Sequence, residues 1–385
     1  MLEGSGQAAV SQVISSQLQG GGERRARGLD GLRGVAALIV VFLHVSSSFV
    51  GTTNGQYSAF GGFIERYSGT VLGFIWSGSA AVYLFFVLSG YALTRMLSSF
   101  RGTYLGYAIR RIVRLWVPYI VSVGVGMALI VGTPDAVGWQ SDWYKSLRSS
   151  HIDLWNVLAH IVMVGEFYVN SINFVVWSLV HEMRLSLVFP IIYIGLVSGR
   201  RDWVLGSSVV LAVLCLALMK HFGIGSAKYS FIASGVYQLF FVIGGYISVR
   251  EDQMKAVYRN IHWSLKVAIF ALGIFAFSGG LGMLILSGLV GGTIIVLFAV
   301  CSEYFEKFLS AGPIQFLGKI SYSLYLYHGI ILIAFVNTTA LYLNLYVQSV
   351  FVVAASIIVA VLSERYVEAP SNQLGRRLAT LATRK

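Results

Sequence analysis

Charged side chains are scarce in this sequence. They make up 11% of its 385 residues, whereas hydrophobic residues make up 56%. A soluble domain carries about 25% charged residues, so this composition excludes an ordinary soluble enzyme and predicts a polytopic membrane protein. Short segments of alternating polarity, which are typical of membrane β-barrels, are also lacking. We therefore expect an all-α fold.

Cysteine and proline are also scarce, and a cleavable signal sequence is not predicted. Cys215 and Cys301 are the two cysteines, and neither has Cys or His neighbours in the sequence. A disulfide framework, a metal site and a thiol nucleophile are therefore not predicted. Five prolines and 42 glycines suit helices that pack through small residues. Residues 1–22 are rich in Gly, Ser and Gln without an apolar core, which predicts a disordered tail before a first helix that is retained.

Long apolar stretches are what the sequence has in abundance. Each is long enough to cross a bilayer as a helix. About ten transmembrane helices are predicted, at residues 35–53, 77–95, 115–133, 174–196, 203–220, 230–248, 263–279, 281–300, 321–340 and 346–364.

The net charge of +12 follows from the placement of Lys and Arg between these stretches. Most of them fall in the segments that share a side with the N-terminus, and few fall on the other side. The positive-inside rule then predicts that both termini are cytoplasmic. We expect a transmembrane domain at 23–370 and a basic cytoplasmic tail at 371–385. Topology explains the charge, so no nucleic-acid partner is expected.

One titratable group interrupts the first apolar stretch, GLDGLRGVAALIVVFLHVSSSFV at residues 28–50. His44 comes eleven positions after Arg33. On a helix the two side chains face within about 20° of each other, about 16 Å apart along the axis. Arg33 is then expected at one membrane face and His44 near the middle. An ionisable group at that depth is costly, which indicates a functional site.

Three ionisable groups also lie within the fourth stretch, in WSLVHEMRLSLVFP. They are His181, Glu182 and Arg184, and Ser178 shares a helical face with Glu182. Such groups cannot face lipid cheaply. Two interpretations stay open, an internal ion pair that holds helices together and a carboxylate with its partners at a substrate site.

Two further patterns have both a structural and a functional interpretation. Arg110 and Arg114 share a helical face beside Arg111, and this cluster is either a positive-inside anchor or a clamp for phosphates. Tyr322, Tyr325 and His328 recur at a spacing of three. They are either satisfied core residues or the lining of a pocket.

The missing motifs narrow the chemistry. A nucleophile elbow, an HExxH metal motif and a P-loop are all absent from the sequence. Histidine can act as a general base near neutrality. What remains is proton-coupled transport or the transfer of a group to a hydroxyl, and a non-catalytic membrane scaffold is a weaker third interpretation.

Five motifs in order resemble the acyltransferase type 3 family. GLDGLRGVAALIVVFLH resembles its opening signature, in which ten residues separate an arginine from a histidine. FFVLSGY, RRIVRLWVPY, WSLVHEMRLSLVFP and GKISYSLYLYH resemble its second-helix, arginine-rich, fourth-helix and ninth-helix motifs. The resemblance runs from about residue 28 to about residue 375. It implies an integral-membrane O-acyltransferase that takes an acyl group, often acetyl, from acyl-CoA. Acceptors in this family are typically sugars of surface or secreted glycans, sometimes lipids or antibiotics.

The resemblance also implies roles for residues. His44 would be the base that deprotonates the acceptor hydroxyl or would carry an acyl intermediate, and Glu182 would orient His44 or the hydroxyl. The expected donor-binding residues are Arg33, Phe85, Phe86, Ser89, Gly90, Arg95, Arg110, Arg111 and Arg114. The expected acceptor-binding residues are Asp30, Trp177, Ser178, His181, Arg184, Tyr322, Tyr325 and His328.

We expect no metal, and we expect the bacterial cytoplasmic membrane as the location. The chain stops near the end of the family core, so transfer is expected to be completed within the membrane domain. The alternative function is a transporter or exporter of a small acylated compound. The acceptor, the length of the acyl group and the oligomeric state stay open.

Overall fold

The fold is helical in every part of the chain that the structure describes. The structure is a computed structural model that describes residues 27–48, 59–67, 69–133, 143–144, 154–163, 172–222, 227–339 and 342–382. It has no strand within these ranges, which confirms the all-α prediction. The tail predicted at residues 1–22 lies outside them. The α-helices are α1 (Arg27–Ser47), α2 (Ala59–Tyr67), α3 (Gly78–Ser99), α4 (Tyr104–Gly132), α5 (Leu154–Val162), α6 (Trp177–Val197), α7 (Arg201–Met219), α8 (Ala227–Val249), α9 (Glu251–Asn260), α10 (Trp263–Phe277), α11 (Leu284–Cys301), α12 (Glu303–Leu309), α13 (Gly312–Thr339), α14 (Leu345–Ser363) and α15 (Ala369–Ala382).

Nine helical segments in the described ranges are long and apolar enough to cross a membrane. They comprise α1, α3, α4, α6 with its preceding 3₁₀ turn, α7, α8, α11, α13 and the continuous segment from Tyr346 to Ala382. The remaining predicted stretch, residues 263–279, forms α10, an apolar helix of 15 residues. The chain is therefore a multi-pass membrane protein, as predicted.

Several helices begin earlier than their apolar stretches: α13, predicted from residue 321, begins at Gly312, and two others carry arginines of the site. The first stretch was predicted from residue 35, but α1 begins at Arg27. The third was predicted from residue 115, but α4 begins at Tyr104, where Thr103 Oγ1 caps the helix by accepting a hydrogen bond from the Gly106 amide at 3.3 Å. An apolar stretch ends where charged residues begin, whereas the backbone hydrogen bonds of a helix continue through those residues. The arginines of both segments consequently lie on helices.

The C-terminal segment also differs from a simple tail. A π-helical turn, Glu364–Glu368, joins α14 to α15. Residues 371–382 belong to α15, which packs along α4. Gly375 lies there against Val113 and the Arg110 carbonyl. A π turn holds one residue more than an α turn, so α15 presents a different face from the one that an uninterrupted helix would present.

Close backbone contacts set the position of α1 against α13. A Cβ at Gly34 would overlap the backbone of Gly318, and a Cβ at Gly318 would overlap the Asp30 carbonyl. Small residues allow such an approach between membrane helices. The contact places the beginning of α1, with its acidic and basic side chains, next to the first turns of α13.

A second pair of glycines holds α3 against α8. A Cβ at Gly90 would overlap the carbonyl of Phe241, and one at Gly244 would overlap the carbonyl of Val87. This close face of α3 is packed between helices. The other side of α3 carries Phe85 and Ser89 and lines a cavity.

Candidate functional site

A cavity of about 540 Å³ opens between α1, α3, α4, α6 and α13. Most of the residues expected at the site line it, although they come from five separate stretches of the chain. Those residues are Asp30, Arg33, Phe85, Phe86, Ser89, Arg110, Arg111, Arg114, Ser178, Glu182, Tyr322 and Tyr325.

Four guanidinium groups line this cavity. Arg33 pairs with Asp30 one helical turn earlier, at 3.4 Å. Arg110 lies over the ring of Phe100 at 5.7 Å, and Arg114 is exposed. Five cationic side chains line the cavity, these four and Lys319, against the carboxylates of Asp30, Glu182 and Glu368. The cations outnumber the carboxylates, so the cavity suits a ligand with several negative charges.

The fourth arginine belongs to a buried polar network. Arg111 Nη2 donates to Ser186 Oγ at 2.8 Å and lies 3.5 Å from Oε1 of Glu182. Ser89 Oγ donates to the same carboxylate oxygen at 3.2 Å. Within the described residues, Nε of Arg111 is buried and has no hydrogen-bond partner. Glu182 therefore fixes one end of this guanidinium and leaves the other end with unused donor capacity.

Tyr325 forms the inner end of the cavity. Its hydroxyl donates to the Val175 carbonyl at 2.8 Å and pairs with Ser178 Oγ at 2.7 Å. Since the phenol has one hydrogen and the carbonyl can only accept, Ser178 is the donor in the second bond. The Tyr325 ring meets Phe85 edge to face, with centroids 5.9 Å apart. Both rings are held in place by partners on other helices.

A pair of histidines lies beyond Tyr325. The Tyr325 and His328 ring centroids are 5.8 Å apart, and Nε2 of His328 is 2.8 Å from Nδ1 of His44. Phe174 meets the His44 ring edge to face at 4.9 Å, and Trp143 lies parallel to it at 5.9 Å. Neither histidine lines the arginine cavity. Tyr325 is the residue that touches both regions.

Several predicted residues lie elsewhere. His181 Nδ1 is 2.8 Å from Ser234 Oγ on α8, and Arg184 lies over Phe231 on the same helix, 3.9 Å from its centroid. The ring of Trp177 packs beside His181. Arg95 lies 3.9 Å from Glu251, with more than half of its side chain exposed. These four residues and Gly90 do not line the cavity, and their expected roles stay predictions.

Four polar residues line the cavity that sequence reasoning did not single out. They are Gln315, Lys319, Ser321 and Glu368. Glu368 accepts a hydrogen bond from Ser323 Oγ at 2.8 Å, and Lys319 lies 3.4 Å from Glu364. The π turn that carries Glu368 has no sequence signature. Lys319 and Ser321 belong to the ninth-helix motif GKISYSLYLYH, and that motif was the available signal for them. In the described part of the chain, no three His, Cys, Asp or Glu side chains gather in a group that could hold a metal ion.

A family profile described as an acyltransferase domain, Acyl_transf_3, matches residues 27–365 of the chain. This range contains the arginine cavity except for Glu368, and it contains both histidines.

Curated relatives match over most of the chain as well. The O-acetyltransferase OatA of Staphylococcus aureus strain NCTC 8325 / PS 47 is 24% identical over 375 residues, which cover 90% of this chain and 57% of the relative. The O-acetyltransferase OatA of strain COL gives the same figures. The chain thus spans little more than half the length of these relatives. No solved structure matches it.

Proposed function

Since the chain belongs to the acyltransferase type 3 family, we propose that it is an integral-membrane O-acyltransferase. The proposed reaction moves an acyl group, most simply acetyl, from acyl-CoA to a hydroxyl of an extracytoplasmic glycan. Similarity to proteins named O-acetyltransferases supports the acetyl group and the oxygen acceptor. The glycan and the CoA donor rest on the family resemblance and on the chemistry of the cavity.

The observation that carries the proposal is the convergence of four arginines on one cavity within a membrane bundle. Coenzyme A has several phosphate groups at one end, and guanidinium groups bind phosphate through paired hydrogen bonds. The predicted topology places these arginines at the cytoplasmic side, where acyl-CoA is made. A structural anchor for topology would not need to surround a cavity.

The cavity also suits the rest of the donor. Its volume of about 540 Å³ falls within the range of about 300–1,000 Å³ that is typical of small-molecule sites. Phe85 and Phe86 line it and offer apolar contacts to the pantetheine arm. The thioester would then lie at the Tyr325 end, nearest the histidines.

The proposed chemistry uses His44 as a general base. A neutral imidazole accepts the proton of the acceptor hydroxyl while the oxygen attacks the thioester carbonyl. The tetrahedral intermediate then collapses, the carbon–sulfur bond breaks, and the thiolate of CoA takes the proton back from His44. General-base assistance contributes about 10²–10⁴-fold in rate, and positioning of thioester and hydroxyl supplies much of the remainder. The thioester and His44 have to come together beyond the rings of Phe85 and Tyr325.

Labelled acetyl-CoA tests this proposal. The purified protein, reconstituted in liposomes, receives acetyl-labelled acetyl-CoA and surface glycan extracted from the producing cells. We expect label on the glycan in step with release of the CoA thiol. His44→Gln should abolish transfer. His221→Gln, at an exposed position, is the matched control and should retain full activity.

Two outcomes would contradict the proposal. Full transfer by the His44→Gln protein would remove the imidazole from the chemistry. Movement of an acylated compound across the liposome membrane without thioester cleavage would favour the transporter instead.

A further inference from the structure

We infer that His328 is the positioning residue that sets the tautomer of His44, so that Nε2 of His44 is the nitrogen that accepts the hydroxyl proton. This inference rests on the proposed function and adds the atom at which the proton is held. It also assigns to an imidazole on α13 the orienting role that sequence reasoning gave to Glu182.

His328 is the buried member of the histidine pair. Nδ1 of His328 lies 3.0 Å from the carbonyl oxygen of Leu324, one turn earlier on α13. A carbonyl oxygen can only accept a hydrogen bond, so this nitrogen carries the hydrogen. The side chain of His328 is 1% exposed, so water does not compete for the contact. His328 is therefore held as the Nδ1–H tautomer.

Nε2 of His328 is the nitrogen that contacts His44. In neutral His328 the other nitrogen, Nε2, has a lone pair and no hydrogen. It lies 2.8 Å from Nδ1 of His44, so His44 must be the donor in this bond. The ring planes differ by 11° and the centroids are 5.1 Å apart. The rings thus meet edge to edge, with the lone pair and the N–H in a common plane, which is the favourable geometry.

The remaining ring nitrogen of His44 is Nε2. With its hydrogen on Nδ1, the neutral ring has an unprotonated Nε2 that can accept a proton. This atom has no hydrogen-bond partner among the described residues, and the side chain is only half-buried. Phe174 and Trp143 contact the ring. The ring is thereby oriented by three neighbours while its basic nitrogen stays available.

Among the described residues, no carboxylate is hydrogen-bonded to His44. Glu182 is engaged by Ser89 and Arg111 on the cavity side. An imidazole partner fixes the tautomer, as the carboxylate or carbonyl partner of many catalytic histidines does, but it adds no charge. His44 then returns its proton to the departing thiolate without having to leave an ion pair.

Nitrogen NMR tests the tautomer directly and needs no substrate. Protein labelled with ¹⁵N at histidine is reconstituted in lipid, and the signals of His44 are identified by their loss in His44→Gln. We expect the Nδ1–H pattern for His44 in the unmodified protein. His328→Gln places an amide oxygen near the position of Nε2 and should keep that pattern, whereas His328→Leu should shift it toward Nε2–H.

Kinetics test the consequence. His328→Leu should lower kcat for acetyl transfer by about 10²-fold or more, with KM for acetyl-CoA unchanged, because His328 does not line the donor cavity. His328→Gln should restore most of kcat. A residue that merely filled space would be replaced better by leucine than by glutamine, so the order of the two variants separates the roles.

The outcomes distinguish the inference from the function beneath it. An Nε2–H pattern for His44 in the unmodified protein, or an unchanged kcat in a folded His328→Leu protein, would overturn the inference and leave the acyltransferase proposal intact. Absence of thioester cleavage by the unmodified protein would overturn the acyltransferase proposal, and the catalytic meaning of the inference with it.

Discussion

Two side chains, Arg111 and Glu182, show how single residues shape the cavity. Both sit largely out of water, with 7% and 19% of their side chains exposed. A buried guanidinium is costly without a counter-charge. The carboxylate stabilises Arg111 when the cavity is empty, and the buried Nε of Arg111 stays available for a donor phosphate. In the proposed function, one arginine thus combines a structural partner with a contact to the donor.

Glu182→Gln should destabilise the protein by about 2–3 kcal/mol. Breaking a fully buried pair costs about 3–5 kcal/mol, and the value is lower here because Glu182 lines the cavity. Thermal unfolding in detergent measures the change. Asp202→Asn is the control, because its pair with Arg250 is exposed and should contribute at most about 1 kcal/mol. Equal losses of stability in the two variants would show that the buried pair stabilises the protein no more than the exposed pair does.

Arg114→Gln should raise KM for acetyl-CoA by about tenfold or more and leave kcat nearly unchanged. A hydrogen bond to a charged group is worth about 1.5–3 kcal/mol, and Arg114 is exposed at the cavity, so its replacement should not disturb the fold. Release of the CoA thiol gives both constants. Arg101→Gln, at an exposed position three residues before α4, should match the unmodified protein. An unchanged KM in Arg114→Gln would place the phosphates elsewhere.

At the scale of helices, the contact of α1 with α13 determines the position of Arg33, the arginine that α1 contributes to the cavity. Gly318 meets the Asp30 carbonyl directly, so the backbone of α13 is the surface on which the start of α1 rests. Asp30 and Arg33 both line the cavity. Any widening of this contact moves them away from the arginines of α4.

Gly318→Ala should therefore reduce both stability and donor binding. The added methyl overlaps backbone rather than a flexible side chain, and overpacking of this kind costs about 1–3 kcal/mol. Unfolding temperature and KM for acetyl-CoA report the two effects. Gly206→Ala is the matched control, because nothing lies within 4 Å of its added Cβ and alanine favours helix there. A Gly318→Ala protein as stable as this control would contradict the packing argument.

The helices could be predicted from hydropathy, but their ends could not. An apolar stretch marks the part of a helix that lipid surrounds. It does not mark Arg27–Gly34 of α1 or Tyr104–Arg114 of α4, because those turns face protein and water. The π turn at Glu364–Glu368 escaped prediction for another reason. Its register depends on contacts such as that between Glu368 and Ser323, which join distant segments.

Site residues that share one helical face could be predicted from their spacing in the sequence. Contacts between distant parts of the chain could not. Ser178 and Glu182 are four residues apart and both line the cavity. The same rule separates His181 and Arg184 from Glu182 by about 100° and about 160°, which agrees with their position against α8. The partner of His44 could not be predicted, because His328 comes 284 residues later in the chain.

At the scale of the whole molecule, the predicted orientation has a direct test. Acetyl-CoA is too polar to cross a bilayer, so under the proposed function it would reach the arginines from one side only. Inverted vesicles that contain the protein should release the CoA thiol when acetyl-CoA is added outside, and right-side-out vesicles should not. Detergent should make the two preparations equal. Activity confined to right-side-out vesicles would reverse the predicted topology.

The position of Tyr325 matters to the cell as well as to the reaction. A water-filled cavity and a pair of imidazoles, joined end to end, would form a wire for protons through the bilayer. The phenol ring, tied to Val175 and Ser178 and backed by Phe85, interrupts that wire. Under the proposed function, a continuous file of water cannot form past this packed ring, so the membrane would keep its electrochemical gradient while acyl groups are transferred.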